Sequence, residues 1–133
     1  MRGPTARFVR LAAALVATAT LWACAAPNFP VPPPGDVSFS KQVVTDNLGA
    51  SKTVWITSRG ADDKASSAVF YILDVTRETG VIAGAAANGS FSAPAMDGTA
   101  GDRVEIHYET PLGDISPTAC VLLQEGASPP ACQ

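Results

Sequence analysis

The chain has 133 residues, 47% of them hydrophobic and 16% charged, and a formal net charge of −3 at pH 7. Three of its nine basic residues lie near the start, so the rest of the chain has six basic residues against twelve acidic ones, a balance of −6. The length is typical of one domain with a single core. The acidic balance argues against nucleic acid and anionic headgroups as partners, because both attract basic surfaces.

The first part of the chain is organised as an export signal. Arg2, Arg7 and Arg10 form a basic start, and residues 11–26 carry no charge. The apolar segment 11–22 is shorter than the about 20 residues that cross a bilayer as a helix. We therefore expect a cleaved signal peptide and no permanent transmembrane span.

The apolar segment ends in Leu21-Trp22-Ala23-Cys24. This resembles the lipobox of bacterial lipoproteins, in which leucine stands three residues before the cysteine and a small residue directly before it. The resemblance implies a signal peptide over residues 1–23 and a lipid, such as palmitate, on Cys24 as the first mature residue. Trp22 departs from the family, where this position is usually small. Ala25, where an aspartate often retains the protein at the inner membrane, implies the outer membrane.

A different cleavage is also compatible with these residues. Ala23-Cys24-Ala25 fits the A-x-A pattern of ordinary signal peptidase, which would leave Ala26 as the mature N-terminus and release a soluble protein. An exported chain with three cysteines must leave one unpaired, and lipid attachment to Cys24 accounts for it.

Residues 24–35 contain five prolines, at positions 27, 30, 32, 33 and 34. This composition favours extended polyproline II, so we predict a semi-rigid tether between the anchor and the domain. We predict one folded domain over residues 36–133.

From residue 36 onward, short apolar runs alternate with Gly, Asp, Asn and Pro, without a sustained period of 3.6 residues. We predict strands at 37–44, 53–58, 68–76, 81–86, 90–95, 103–110 and 118–124. About seven strands of this kind indicate an all-β, antiparallel β-sandwich.

Two of these strands have informative patterns. Residues 69–73 are apolar at every position, which predicts a central strand. In residues 104–109, apolar and polar side chains alternate strictly. We expect Val104, Ile106 and Tyr108 in the core, and Glu105, His107 and Glu109 facing water.

The order of motifs from residue 67 to residue 123 resembles bacterial immunoglobulin-like and carboxypeptidase-regulatory-like modules. The matching motifs are the T-x-x-T-G turn at residues 76–80, Asn88-Gly89-Ser90-Phe91 and Gly101-Asp102. The resemblance implies an immunoglobulin-like sandwich, whose modules serve as spacers, adhesive units or ligand platforms.

Cys120 and Cys132 both follow the export signal, and their proximity in an oxidising compartment predicts a disulfide between them. No C-x-x-C motif is present, so we expect a structural bond that pins the C-terminal tail to the last strand.

The sequence carries no recognisable catalytic set. His107 is the only histidine, and neither a G-x-S-x-G elbow nor a nucleotide-binding glycine motif occurs. The E-x-H-x-E pattern at residues 105–109 could hold a metal, and Asp62-Asp63 or residues 97–102 could hold calcium. A solvated strand face and ordinary turns account for the same residues. We predict no enzyme, no cofactor, no metal and no nucleotide.

Two further features have alternative interpretations. Asn88-Gly89-Ser90 matches a glycosylation sequon, but we predict a two-residue hairpin turn in which both Asn88 and Gly89 accept positive φ. Trp55 is either a core residue or a platform for sugars, and large aromatics in small sandwiches favour the core.

These observations favour a noncatalytic structural or protein-interaction module, anchored by lipid to the cell envelope and bound there to an envelope protein. The alternative is a lipoprotein that binds a small ligand or carbohydrate, for which an exposed Trp55 or a roomy apolar cleft would be the distinguishing feature.

Overall fold

The computed structural model describes residues 31–133, which form two antiparallel sheets packed face to face. The prediction of an all-β sandwich is confirmed. The described part of the chain has no α-helix, only one short 3-10 turn at Asp63–Ala65. The strands are β1 (Ser38–Thr45), β2 (Ser51–Arg59), β3 (Val69–Asp74), β4 (Thr79–Gly84), β5 (Phe91–Ser92), β6 (Met96–Asp97), β7 (Arg103–Glu109), β8 (Ala119–Leu122) and β9 (Gly126–Ala127).

The first sheet has the order β5-β2-β1-β9, and β6 pairs with the same edge of β2 as β5 does. The second sheet has the order β4-β3-β7-β8. The chain changes sheet after β2, after β4, after β6 and after β8. Such crossings between two packed antiparallel sheets are those of a Greek-key sandwich.

The strand patterns behave as the sequence predicts. In β7, the side chains of Val104, Ile106 and Tyr108 are buried, and those of the intervening residues lie on the outer face. The strand β3 is central in its sheet, between β4 and β7. Its inward residues Phe70 and Ile72 are buried, whereas its outward residues have no second layer over them in residues 31–133.

One predicted strand is divided. Instead of a continuous strand at 90–95, the chain forms the two short strands β5 and β6. Pro94 lies between them, and proline has no N–H with which to continue a ladder. The short strand β9 lies in a segment with no apolar alternation, and the sequence does not predict it.

The predicted two-residue turn at Asn88-Gly89 is wrong. The N–H of Gly89 donates to the carbonyl of Ala86 at 2.8 Å, and of the two residues only Gly89 has positive φ, at 81°. Gly89 follows the turn in the left-handed conformation, and the turn leads from β4 to β5 of the other sheet, so no two-residue hairpin forms. A Cβ on residue 89 would also lie 1.9 Å from the carbonyl oxygen of Asp62, so glycine is required here.

The core lies between the inner faces of the two sheets. Phe70 is at its centre, with ring centroids 4.3 Å from Phe91 and 5.1 Å from Tyr108. The indole of Trp55 is 2% exposed, and its N–H donates to the carbonyl of Gly98 at 3.0 Å. The prediction that Trp55 is a core residue is confirmed.

The last residues of the predicted tether contact this domain. Pro34 is buried, Val31 packs against the core, and the hydroxyl of Tyr108 donates to the carbonyl of Pro32 at 2.9 Å. Contacts of the domain therefore begin upstream of residue 36. The predicted signal peptide (1–23), Cys24 and the rest of the tether lie outside the described residues.

The C-terminal segment closes one side of the sandwich. Its first part, β9, pairs with β1 of the first sheet. Beyond β9, the carbonyl of Pro130 accepts from Leu122 at 2.8 Å, and the N–H of Cys132 donates to Cys120 at 3.0 Å, so the tail covers the outer edge of β8. Cys120 and Cys132 form a disulfide with a Cα–Cα distance of 5.4 Å. The predicted pairing is confirmed.

Candidate interaction surface

The side of the β4-β3-β7-β8 sheet that faces away from the core carries a row of large side chains. Ile82, Tyr71 and His107 stand opposite one another on β4, β3 and β7. The rings of Tyr71 and His107 are stacked, with centroids 5.0 Å apart and an interplanar angle of 12°. The Tyr71 hydroxyl donates to a carboxylate oxygen of Glu109 at 3.5 Å. Cross-strand contacts of this kind hold the side chains in fixed positions on the sheet.

Apolar side chains flank this row on both sides. Val69 lies opposite Glu109 on β7, and Leu73 lies opposite Glu105. Ile82 is 59% exposed and Leu73 is 43% exposed. An apolar and aromatic strip, formed by Val69, Tyr71, Leu73 and Ile82, therefore runs along β3 and β4, with the two glutamates beside it on β7. These six residues are called here the outer face.

The outer face results from the composition of β3. A strand with one solvated face usually alternates apolar and polar residues. In β3 the outward positions are Val69, Tyr71 and Leu73, which are as apolar as the inward ones. The sequence signal for this surface was present in residues 69–73. It predicted a central strand, but it did not tell which of the two faces is left open.

The E-x-H-x-E residues of β7 lie on this side of the sheet, but their side chains do not form a metal site. His107 stacks on Tyr71, and Glu109 accepts a hydrogen bond from that same tyrosine. Within residues 31–133, no three His, Cys, Asp or Glu side chains are grouped so that they could share a metal ion.

Asp62 and Asp97, two of the carboxylates considered for calcium, have other partners. Asp62 accepts from the N–H of Lys64 at 3.0 Å and pairs with the buried guanidinium of Arg59, which lies 5.5 Å from the ring centroid of Phe70. Asp97 pairs with Lys52 at 3.0 Å. These acids cap turns and form ion pairs, in line with the turn interpretation of the sequence.

The buried Asp74 and the partly buried Asp102 form a pair of acids at the end of β3. One oxygen of Asp74 accepts from the N–H groups of Thr76 at 2.9 Å and Arg77 at 3.1 Å, and the other accepts no hydrogen bond from the described residues. Burial, together with the nearby Asp102 carboxylate, raises the pKa of Asp74 above 3.8. Burial acts on Asp102 in the same sense, but hydrogen bonds from Arg77 and Thr99 lower the pKa of Asp102 below 3.8.

Sequence reasoning missed the Asp74 pair. Asp74 ends an apolar run and resembles an ordinary turn residue, and Asp102 is distant from it in the chain. Their opposite pKa shifts have the sign expected when a protonated Asp74 donates to an ionised Asp102. The hydrogen bonds from Thr76 and Arg77 to Asp74 hold the β3–β4 turn.

A second exposed apolar element is the tip of the β1–β2 hairpin. Residues 40–53 are exposed along both strands, and the tip carries Val43, Val44 and Leu48, the last of them 93% exposed. This ribbon extends beyond the two packed sheets. Its side chains do not contact the outer face, which belongs to the other sheet.

The described residues give no support to a sugar platform at Trp55, because the indole is buried in the core. The carbohydrate alternative depended on an exposed Trp55 or a roomy apolar cleft.

The chain was compared with protein-family models, with curated proteins and with solved structures, and none of the three comparisons finds a match. The resemblances to bacterial lipoproteins and to immunoglobulin-like modules therefore stay predictions. Among residues 31–133, no helix is long and apolar enough to cross a bilayer.

Proposed function

We propose that this protein is a lipid-anchored, noncatalytic interaction module of the bacterial cell envelope, and that the outer face binds another envelope protein. The observation that carries the proposal is the apolar strip of Val69, Tyr71, Leu73 and Ile82 on the side of the sheet that faces away from the core and that no second layer covers within residues 31–133. Contiguous apolar surface of this kind, rimmed by polar residues, marks protein interaction sites.

The chemistry of the outer face describes the partner. Its centre is apolar and aromatic, and Glu105 and Glu109 lie along one side. A complementary protein would bury apolar side chains against Tyr71 and Leu73 and place Lys or Arg against the two glutamates. The stacked, hydrogen-bonded Tyr71 is held in place before binding, which lowers the entropy lost on association.

The anchor is proposed on different grounds. The lipobox-like segment before Cys24 supports a thioether-linked lipid at that residue, and Ala25 supports outer-membrane localisation. More than one acyl chain on Cys24 would make the attachment effectively permanent, since a single chain binds only marginally. The domain then needs no membrane-binding surface of its own, consistent with its acidic charge.

Site-specific photocrosslinking in intact cells tests the outer face. A photoreactive amino acid replaces Leu73 in one strain and Val43, a matched exposed residue at the hairpin tip, in another. We expect one discrete crosslinked envelope protein from position 73 and not from position 43. Equal capture at both positions, or no capture at position 73, would contradict the assignment of the outer face.

Metabolic labelling tests the anchor separately. The wild type should incorporate radioactive palmitate, and Cys24→Ser should lose the label and remain unprocessed or become soluble. An unlabelled wild-type protein that begins at Ala26 would show ordinary cleavage and refute the lipoprotein assignment.

A further inference from the structure

The four outer edges of the two sheets differ in how they are protected. In the first sheet, β9 covers β1 at Ser38 and Phe39, and Pro94 interrupts the edge formed by β5 and β6. Beyond Phe39, β1 enters the protruding hairpin, whose edges carry Lys41 and Lys52. Prolines and lysines are common means by which edge strands avoid pairing. In the second sheet, the disulfide-bonded tail covers β8.

The edge of β4 has none of these protections. The strand Thr79–Gly84 pairs with β3 on one side and with no other strand of the described residues. Its sequence, Thr-Gly-Val-Ile-Ala-Gly, contains no charge and no proline. An uncharged edge strand of this length offers a template for pairing with another chain.

The hydrogen bonding of the β3–β4 ladder shows which backbone groups of β4 are free. Ala85, just after the strand, donates to the carbonyl of Ala68 at 2.8 Å. Because hydrogen-bonded and non-bonded pairs alternate in an antiparallel ladder, residues 81 and 83 direct their N–H and C=O groups to β3. Gly80, Ile82 and Gly84 therefore direct theirs outward.

The glycine at position 84 has no explanation within the domain. It does not have positive φ, and a Cβ on it would meet nothing within 4 Å. Gly80 is different, since a Cβ there would lie 2.7 Å from the carbonyl oxygen of Ile72. Glycine weakens a strand interior, and where the fold does not require it, it often marks the close approach of another backbone.

We propose that the β4 edge pairs with the β4 edge of a second copy of this chain. The pairing is antiparallel, with a twofold axis at Ile82, so that Ile82 faces Ile82 and Gly80 faces Gly84 of the second copy. Residues 80–84, Gly-Val-Ile-Ala-Gly, have nearly the same pattern of side-chain sizes in both directions, as a self-complementary twofold contact requires. Each facing pair exchanges two backbone hydrogen bonds, about six in total.

The charges around the strand support a second copy as the occupant. No charged residue lies within β4, so the twofold contact brings no like charges together even though the chain is acidic. Arg77 and Glu78 lie in the β3–β4 turn before the strand, outside the paired residues. The two bare glycines leave room for each Ile82 side chain to lie across the neighbouring strand.

The dimer would join two four-stranded sheets into one. The outer faces then lie side by side, and Tyr71 and Ile82 of one copy continue into Ile82 and Tyr71 of the other. One strand pair is a small interface, of the class found in weak associations. Confinement of both copies to one membrane would favour it, and two adjacent outer faces would bind a repeated partner with greater avidity.

Disulfide trapping in intact cells tests the dimer on the full-length chain. Hydrogen-bonded facing residues have Cα atoms about 5.5 Å apart, a distance that a disulfide spans. We therefore expect Ile82→Cys to give a covalent dimer on a non-reducing gel. Leu48→Cys at the hairpin tip and Leu73→Cys on the outer face, both exposed, should stay monomeric.

Two variants that each add one negative charge provide the second measurement. Ile82→Glu places two carboxylates opposite each other, whereas Leu48→Glu makes the same change in charge away from β4. By analytical ultracentrifugation of the purified protein, Ile82→Glu should weaken self-association at least tenfold and Leu48→Glu should not.

Three results would overturn the proposal: dimers from all three cysteine variants, none from Ile82→Cys, or a disulfide from Ile82→Cys to a different protein. The last would assign the β4 edge to a strand of another partner. The crosslink from position 73 is measured in a chain that keeps Ile82, so failure of this proposal is distinguishable from failure of the proposed function.

Discussion

The two sides of the sandwich differ in whether the outer edges of their strands are covered. On one side, β9 and the disulfide-bonded tail cover the edges of β1 and β8. On the other side, β4 has an uncharged outer edge with three outward-facing backbone units. The closed side depends on a covalent bond and on the C-terminal tail. The C-terminal segment therefore covers the edges of β1 and β8, whereas no described segment pairs with the outer edge of β4.

The largest effect is expected on the closed side. Replacing both Cys120 and Cys132 by Ser should lower the free energy of unfolding by about 3 kcal/mol, the value the chain-entropy model assigns to a loop of this order. The tail should then release the edge of β8, since the bond holds residues 130–132 against it. Urea unfolding measures the loss, and amide exchange at Leu122 and Cys132 reports release of the tail.

Reducing agent is the control for the double serine variant. It should destabilise the wild type by the same amount and leave the variant unchanged. Two free thiols in the denatured, unreduced wild type would show that the bond is absent and that another interaction closes this side.

The second effect concerns the proline-rich segment before β1, which contacts Tyr108 through Pro32. Tyr108→Phe removes the hydrogen bond to Pro32 and should cost about 1 kcal/mol. Burial raises the pKa of Tyr108 above 10, so its contribution is complete below pH 10 and is lost as pH rises through the folded-state pKa. Wild type and variant should therefore converge in stability at alkaline pH. Equal stability at neutral pH would mean that this contact contributes nothing.

The third effect concerns the turn that leads into the open edge. The raised pKa of Asp74 means that its protonated form favours the folded state, and this contribution falls as pH rises through the folded-state pKa. Asp74→Asn keeps the acceptor for Thr76 and supplies a permanent donor toward Asp102. It should stabilise the protein by about 1 kcal/mol at neutral pH and by less as pH approaches 4.

Asp102 gives the opposite pH dependence. Its pKa is lowered, so its contribution is present above pH 3.8 and is lost as pH falls through the folded-state value. Unfolding curves between pH 3 and pH 7 separate the two residues. Destabilisation by Asp74→Asn at neutral pH would contradict the proton-sharing arrangement.

The smallest expected effect on the free energy of unfolding concerns Gly84, at the open edge of β4. Gly84→Thr places a β-branched residue in open space, within a strand, and should raise the free energy of unfolding by about 0.5 kcal/mol. Urea unfolding at low protein concentration isolates the monomer. A loss of stability would show that Gly84 has a role within the domain, and it would weaken the case for an external strand at this edge.

Much of the fold could be predicted because it depends on local pattern. Alternation in residues 104–109 identifies the buried side of β7, and the continuous apolar run at 69–73 identifies a central strand. The disulfide was predicted from the expected oxidising compartment and the number of cysteines, and the structure contains it. The candidate site was only half predictable: Glu105 and Glu109 were correctly placed on the solvated face of β7, but residues 69–73 were predicted only as a central strand and Ile82 was not singled out.

The sequence by itself predicted the positions of the main strands and the faces of β7, and it favoured the burial of Trp55 and the pairing of Cys120 with Cys132. Each depends on spacing along the chain or on composition. Only the tertiary structure decided that β4 is an open edge, that Asp74 meets Asp102, and that Pro32 contacts Tyr108. These features depend on which distant segments become neighbours, and no local period of side chains encodes that choice.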